Sequence, residues 1–411
     1  MKSPARAMAS VAATGLALRQ DPESHGGSRI APEQVPGALR AFWMDGFFAA
    51  AQDAFILAYL PLLANALGAN GSQIALLAAS QSLGAMLALY PGAWTARRTN
   101  SRRWFVLFYA GILGRISLLL AALTVAIFGG QTALYLVITL FTVRAFLGNF
   151  VLPAWTSLAA DIIPERLQAK YFASRNFAIS AATLALTPIG GLILDHYGFP
   201  GGFVVALLVS LAFGIASTYA YSRLPDPPAR HKAEQRPAAR MRPGVVLRDR
   251  RFLMFMVATF ALQFSTQIAG PFFNVYLKNG LGASNFLIGG IVTASALSGL
   301  LGQLFFGDLL ARRGPLSVSR LAIVVLPLLP FMWVLITRPW MVFGINLIGG
   351  AMWAAFGLAN FQYLLDITNE ENREEYVAFF QTSIFLAMFA APFIGGVIVD
   401  HFGYRPAFFI S

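Results

Sequence analysis

From about residue 41 onward, long apolar runs alternate with short breaks rich in Gly, Pro, Asn and Arg. Each run has roughly the 20 residues a helix needs to cross a bilayer core. In order they predict helices over about 41–66, a second ending near 94, then 104–128, 132–161, 171–194 and 202–222. A second series falls at about 252–277, 285–309, 319–337, 340–366 and 375–399. Only helices and closed barrels satisfy their own backbone groups in lipid, and runs of this length exclude barrel strands, so an all-α integral membrane protein is expected. The residues from Tyr404 to Ser411 supply only the start of a twelfth helix, which is therefore expected to be largely absent from this chain.

Polar residues inside these runs are few. The first run carries Asp45, Gln52 and Asp53, the second Gln81, the third Arg115, and the fourth Arg144 and Asn149. At the matching depth the second series is polar but uncharged, with Gln263, Gln267, Gln303 and Asn346. A charge at that depth costs several kcal/mol, of the order of 3, unless it is paired or hydrated, so each one marks a candidate site.

The two series repeat one another. Asn65-Ala-Leu-Gly68-Ala69 answers Asn279-Gly-Leu-Gly282-Ala283, which aligns Asp53 with Gln267. Gly92-Ala-Trp-Thr-Ala-Arg97-Arg98 answers Gly307-Asp-Leu-Leu-Ala-Arg312-Arg313-Gly314. Asp161-Ile-Ile-Pro-Glu165 answers Asp366-Ile-Thr-Asn-Glu370, and Gly190-Gly-Leu-Ile-Leu-Asp195-His-Tyr-Gly198 answers Gly395-Gly-Val-Ile-Val-Asp400-His-Phe-Gly403. Four matches in the same order imply two parallel six-helix halves, over 41–222 and 252–411, joined by a basic linker over 223–251 and preceded by a disordered tail over 1–40.

Charge placement sets the expected orientation. The net charge is +12 with only 12% charged residues. Arg97, Arg98, Arg102, Arg103, Arg166, Lys170, Arg312, Arg313 and Arg320 occupy alternate loops, and the linker is basic, while the intervening loops hold Lys278, Arg338 and Arg405. By the positive-inside rule the first set and the N-terminus face the cytoplasm of a cell whose inner (plasma) membrane holds the chain. The cations are thus explained by topology, and no nucleic-acid partner is expected. Trp43, Trp94, Trp104 and Trp340 near helix ends read as interface anchors. Ala387, Ala391 and Gly395 suit close helix packing, and Pro392 a bend.

Several chemistries are excluded. There is no cysteine, His25, His196, His231 and His401 are scattered, and no phosphate-binding Gly-rich loop is present. No nucleophile with its base or metal-ligand spacing suggests an enzyme, so no cofactor is expected beyond a proton gradient as energy source.

The repeat, the basic central linker and the Arg-rich turns resemble the major facilitator superfamily of transporters over about residues 40 to 411. Gly92, Arg97, Arg102 and Arg103, and again Gly307, Leu309, Arg312 and Gly314, correspond to that family's inner motif Gly-x-Leu-Ala-Asp-Arg-x-Gly-Arg-Arg. Ala96 and Ala311 stand where the motif has its Asp. Arg144-Ala-Phe-Leu-Gly148 resembles Arg-x-x-Gln-Gly, with Leu147 replacing Gln. Thr187-Pro-Ile-Gly190-Gly191 falls a residue short of the Gly-Pro-x-x-Gly-Gly of drug antiporters, which gives an antiporter assignment little support. The resemblance implies a monomeric secondary transporter that moves a small solute through a midplane cavity by alternating access.

The cavity residues expected on this reading are Asp53, Arg144, Arg115, Gln81, Asn149, Gln263, Gln267 and Asn346. Asp53 and Arg144 are the expected coupling pair, since a proton can release a carboxylate held by Arg; a static ion pair that fixes packing is the alternative. Gly92, Arg97, Arg102, Arg103, Gly307, Arg312, Arg313 and Gly314 are expected at the inner gate, with Asp45 bridging to Arg166 or Arg175. An ion-independent facilitator and a non-transporting membrane sensor or assembly partner remain open at the level of sequence.

Overall fold

The computed structural model describes residues 30–227, 248–368 and 373–411, and they are helical almost throughout. In the first half α1 (Val35–Ala54) and α2 (Leu60–Ala66) form the first crossing. α3 (Gly71–Arg98) is the second; α4 (Arg102–Val106), a π-helical stretch Leu107–Leu113 and α5 (Gly114–Ile127) make the third. α6 (Gly130–Phe150) with α7 (Leu152–Ile162), α8 (Glu165–Tyr197) and α9 (Gly201–Ser222) complete the half.

The second half follows the same order. α10 (Arg250–Ala269), a 3-10 turn Gly270–Phe272 and α11 (Phe273–Asn279) form its first crossing. α12 (Asn285–Arg313), α13 (Pro315–Val325) with α14 (Leu328–Val334), α15 (Val342–Ile367) and α16 (Arg373–Phe402) follow, and α17 (Tyr404–Ile410) is a seven-residue stub. Ten crossings among the described residues are long and apolar enough to span a membrane. The first crossing, broken between α1 and α2, is the eleventh.

Two boundaries differ from expectation. Helix begins at Val35, so residues 35–40 belong to the first crossing rather than to a tail; residues 1–29 lie outside the described residues, as does 228–247 of the linker. The first crossing of each half is also not continuous. Pro61 and Pro271 lack the N–H that would bond the carbonyls of Leu57 and Gln267, so the chain breaks at 55–59 and at 270–272, just after the aligned residues Asp53 and Gln267. The Asn274 amide of the second half donates to the freed strip of the first at the Ala58 carbonyl, 2.8 Å away.

The halves meet along α3 with α16 and α8 with α12. The polar contacts that join them, among the described residues, gather at the end away from the Arg-rich turns. There Asn65 and Asn279, paired by the sequence repeat, exchange side-chain hydrogen bonds of 2.8 and 3.2 Å. Nearer mid-membrane, the Thr293 hydroxyl donates to the Leu184 carbonyl, which Pro188 has left without its helical partner.

Candidate functional site

Among the described residues, charge near mid-membrane is confined to the first half. At the α1 break Arg144 Nη2 lies 2.5 Å from Asp53 Oδ1, and Gln52 Nε2 donates to the same oxygen at 3.2 Å. The Arg144 and Asp53 side chains keep 20% and 39% of their surface exposed, so the pair is not sealed in packing. Asp53 is held there by the last turn of α1, where its carbonyl accepts from the backbone N–H of Ile56 and Leu57 in the irregular segment.

The expected gate residue Asp45 is placed differently. Its carboxylate lies 3.5 Å from Arg175 Nη2 and accepts from the Ser217 hydroxyl at 2.8 Å, with both ion-pair side chains 11% exposed. Arg175 also donates to the Phe42 carbonyl and stacks over Phe42 and Trp155. Every partner belongs to the first half, so this pair ties α1 to α8 and α9 and does not bridge the gate. Arg115 lies against Gly214 of α9, where an added Cβ would come 2.7 Å from its Nε, so it stands behind α1, within electrostatic reach of Arg144, Asp53 and Asp45. Gln81 and Asn149 bond back to the Leu77 and Ala145 carbonyls of their own helices, both at 2.9 Å.

The motif residues divide likewise. Arg102 is buried, 2.7 Å from Asp161 Oδ2 and 2.7 Å from the Ser157 hydroxyl, while Arg103 donates to the Leu224 carbonyl at 2.7 Å. Asp161 thus supplies, from another helix, an acidic partner that Ala96 cannot. Arg97, Arg98, Arg312 and Arg313 are exposed, Arg98 lying over the Trp94 ring. Gly92 abuts the Phe150 carbonyl, Gly307 faces open space, and Gly314, with φ +75°, ends α12 in a conformation that favours glycine.

Gln263, Gln267 and Asn346 come together around a cavity of about 480 Å³ inside the second half. Asn274, Thr266, Ser295, Trp333 and Trp353 also line it; among these Asn274 was the legible omission, since it is a third amide on the run that carries Gln263 and Gln267.

The repeated Gly-Gly-x-x-x-Asp segments prove to be the closure between halves. Asp195 of α8 accepts from the backbone N–H of Asn285 and Phe286, at 2.9 and 2.8 Å, and from the Asn285 amide at 2.8 Å. Asp400 of α16 accepts from the N–H of Gly71 and Ser72, at 2.5 and 2.9 Å, and from the Ser72 hydroxyl at 2.6 Å. Each carboxylate therefore caps the first two N–H groups of a helix in the opposite half, α12 or α3. The third is capped locally, by Ser284 or Asn70. The glycines make the approach possible. Gly191 and Gly396 abut the opposite half at Asn285 and Gly71, whereas Gly190 and Gly395 abut Phe55 and Ile268 beside the breaks of their own half. The sequence repeat located these residues but carried no sign of which helix end each Asp meets.

Two broken entry helices, a duplicated six-helix plan and a cavity within the second half define the class of secondary transporters. The Major Facilitator Superfamily family model matches residues 43–362 and 255–411, and the chain belongs to that family. Curated relatives include the multi-drug resistance efflux pump PmrA homolog of Lactococcus lactis, 23% identical over 373 residues, 89% of each chain. The multidrug resistance protein MdtG of Salmonella choleraesuis is 24% identical over 400 residues, covering 93% of this chain and 94% of its own. Among solved structures the nucleoside transporter NupG superposes with a TM-score of 0.73 at 15% identity, covering 91% of this chain and 95% of that one. A bacterial homologue of the iron transporter ferroportin in an inward-facing state gives 0.66 at 14%, covering 90% and 96%. The protein is a multi-pass membrane transporter of this family and not an enzyme. The imperfect Thr187-to-Gly191 segment did not separate it from relatives named as drug pumps.

Proposed function

We propose that the protein exports a small organic solute across the inner membrane in exchange for protons, with Asp53 and Arg144 as the coupling pair and the Arg-rich ends and N-terminus on the cytoplasmic side. The observation that carries this reading is the partly exposed Asp53–Arg144 ion pair at the break of α1. Broken helices beside a midplane cavity are where such carriers hold cargo and coupling ions. A proton arriving on the free Asp53 oxygen neutralises the carboxylate and removes the charge that holds Arg144; its departure restores the pair. Partial exposure of both side chains lowers the cost of either state in the membrane. Closure at one end through Asp195 and Asp400, with the basic end left to the cytoplasm, supports alternating access in an inward-open state. The efflux pumps among the curated relatives support the outward direction and a drug-like cargo.

Transport in proteoliposomes with and without an imposed pH gradient tests the coupling. Asp53→Asn is expected to keep cargo exchange under equal concentrations and to lose gradient-driven accumulation. Gradient-driven transport undiminished in Asp53→Asn refutes proton coupling and leaves a facilitator.

A further inference from the structure

The two halves divide the chemistry between them, and the division identifies the cargo. All intramembrane charge described above sits in the first half, and its main partners are there too. The 480 Å³ cavity lies in the second half, between α10 and α11, α12, α14 and α15, with Pro61 its one first-half wall. That is the size of a site for a drug-sized molecule, roughly 300 to 1,000 Å³. No Asp, Glu, Lys, Arg or His is among its lining residues.

What lines it instead is neutral and has hydrogen bonds to spare. Asn274 and Asn346 each spend one N–H on a carbonyl, of Ala58 and Val342, leaving their amide oxygens to accept. Gln263 and Gln267 make no side-chain hydrogen bond among the described residues, so both can donate and accept. Trp333 and Trp353 add flat apolar faces and indole donors. An ion entering this cavity would lose hydration without meeting a counter-charge, a net cost that neutral amides offset only in part. A neutral ring system edged with donors and acceptors would satisfy the four amides and stack on the indoles at no such cost.

We infer that the cavity of the second half binds an uncharged, ring-containing solute bearing both hydrogen-bond donors and acceptors, and that cargo and proton occupy different halves of the protein. The physiological meaning of the inference rests on the transport reading above. One consequence is that the proton is the only charge carried in each cycle, so exchange against this cargo responds to membrane potential as well as to pH.

The chain contains no cysteine, which allows the cavity to be probed with no prior removal of native thiols. Single cysteines at Ser295 and, in a second variant, at Val292 face the cavity, and one at exposed Ala66 serves as reference. The purified proteins are reacted with 2-hydroxyethyl, 2-(trimethylammonium)ethyl and 2-sulfonatoethyl methanethiosulfonate. Relative to Ala66→Cys, the neutral reagent is expected to label Ser295→Cys and Val292→Cys at least about tenfold faster than either charged reagent, the factor that 1.4 kcal/mol of discrimination supplies. A charged reagent that labels both positions as fast as the neutral one overturns the inference. Labelling requires no turnover, so that result leaves proton-coupled transport standing, and loss of coupling in Asp53→Asn leaves the labelling pattern unchanged. A thermal-shift panel of uridine and chloramphenicol (neutral), tetraphenylphosphonium (cation) and salicylate (anion) adds a ligand readout. Stabilisation by a neutral probe that disappears in Gln267→Leu is expected; stabilisation by a charged probe alone, lost in the same variant, overturns the assignment.

Discussion

Removing both closing carboxylates, as Asp195→Asn with Asp400→Asn, is expected to open the end of the protein that this structure holds shut. Asp400 receives three hydrogen bonds of 2.5 to 2.9 Å and Asp195 three of 2.8 to 2.9 Å, all from helix N-termini of the opposite half. A charged acceptor is worth about 1.5–3 kcal/mol per hydrogen bond against roughly 0.5–1.5 for a neutral one, and a carboxylate at a helix N-terminus adds about 0.3–1. Both carboxylates are solvent-exposed, so screening reduces these figures, and Asn retains one acceptor oxygen. A loss of about 0.5–1 kcal/mol per site gives roughly 1–2 for the pair, which changes the ratio of closed to open states by about 5 to 30. Spin labels on cysteines at Ala66 and His401, exposed on the two halves at this end, report that ratio as a distance distribution by pulsed electron resonance. The substituted protein is expected to gain a longer-distance population by that factor, with a smaller gain for either single change. The reasoning fails if the distribution is the same in the double variant and the parent at low ionic strength, where the charge effect is largest.

Other perturbations separate fastening from gating. Gly191→Ala puts a methyl group onto the Asn285 carbonyl and should favour the open end in the same distance measurement, whereas Gly357→Ala, facing open space, should not. Asp161→Asn strands the buried Arg102 guanidinium and should cost about 3–5 kcal/mol of stability, read as a large fall in melting temperature. Arg97→Ala, on an exposed side chain of the same motif, should stay within about 0.5 kcal/mol of the parent.

Much of the candidate site could be read from the chain because membrane burial makes polar residues conspicuous. Asp53 and Arg144 stand out as charges in apolar runs and lie in contact, and Gln263, Gln267 and Asn346 stand out as amides and lie around one cavity. Gln81 and Asn149 looked equivalent in sequence, yet a polar side chain in a helix can satisfy itself on the carbonyl four residues back, and periodicity does not reveal that choice. Asp45 carried a related ambiguity: Arg166 and Arg175 were both legible as partners, and the structure sets it against Arg175 of α8, inside the first half. The breaks after Asp53 and Gln267 had a visible cause in Pro61 and Pro271, masked by the unbroken hydropathy around them.

The sequence by itself determined an all-helical membrane protein, its duplication, and the confinement of intramembrane charge to the first half. These follow from local composition and from the cost of polar groups in lipid, which act residue by residue. Only the tertiary structure decided which end is closed and by what. The capping of α3 by Asp400 and of α12 by Asp195 joins residues more than 300 and about 90 positions apart. Such pairings depend on how two rigid halves are set against each other, and that leaves no periodic trace in the chain.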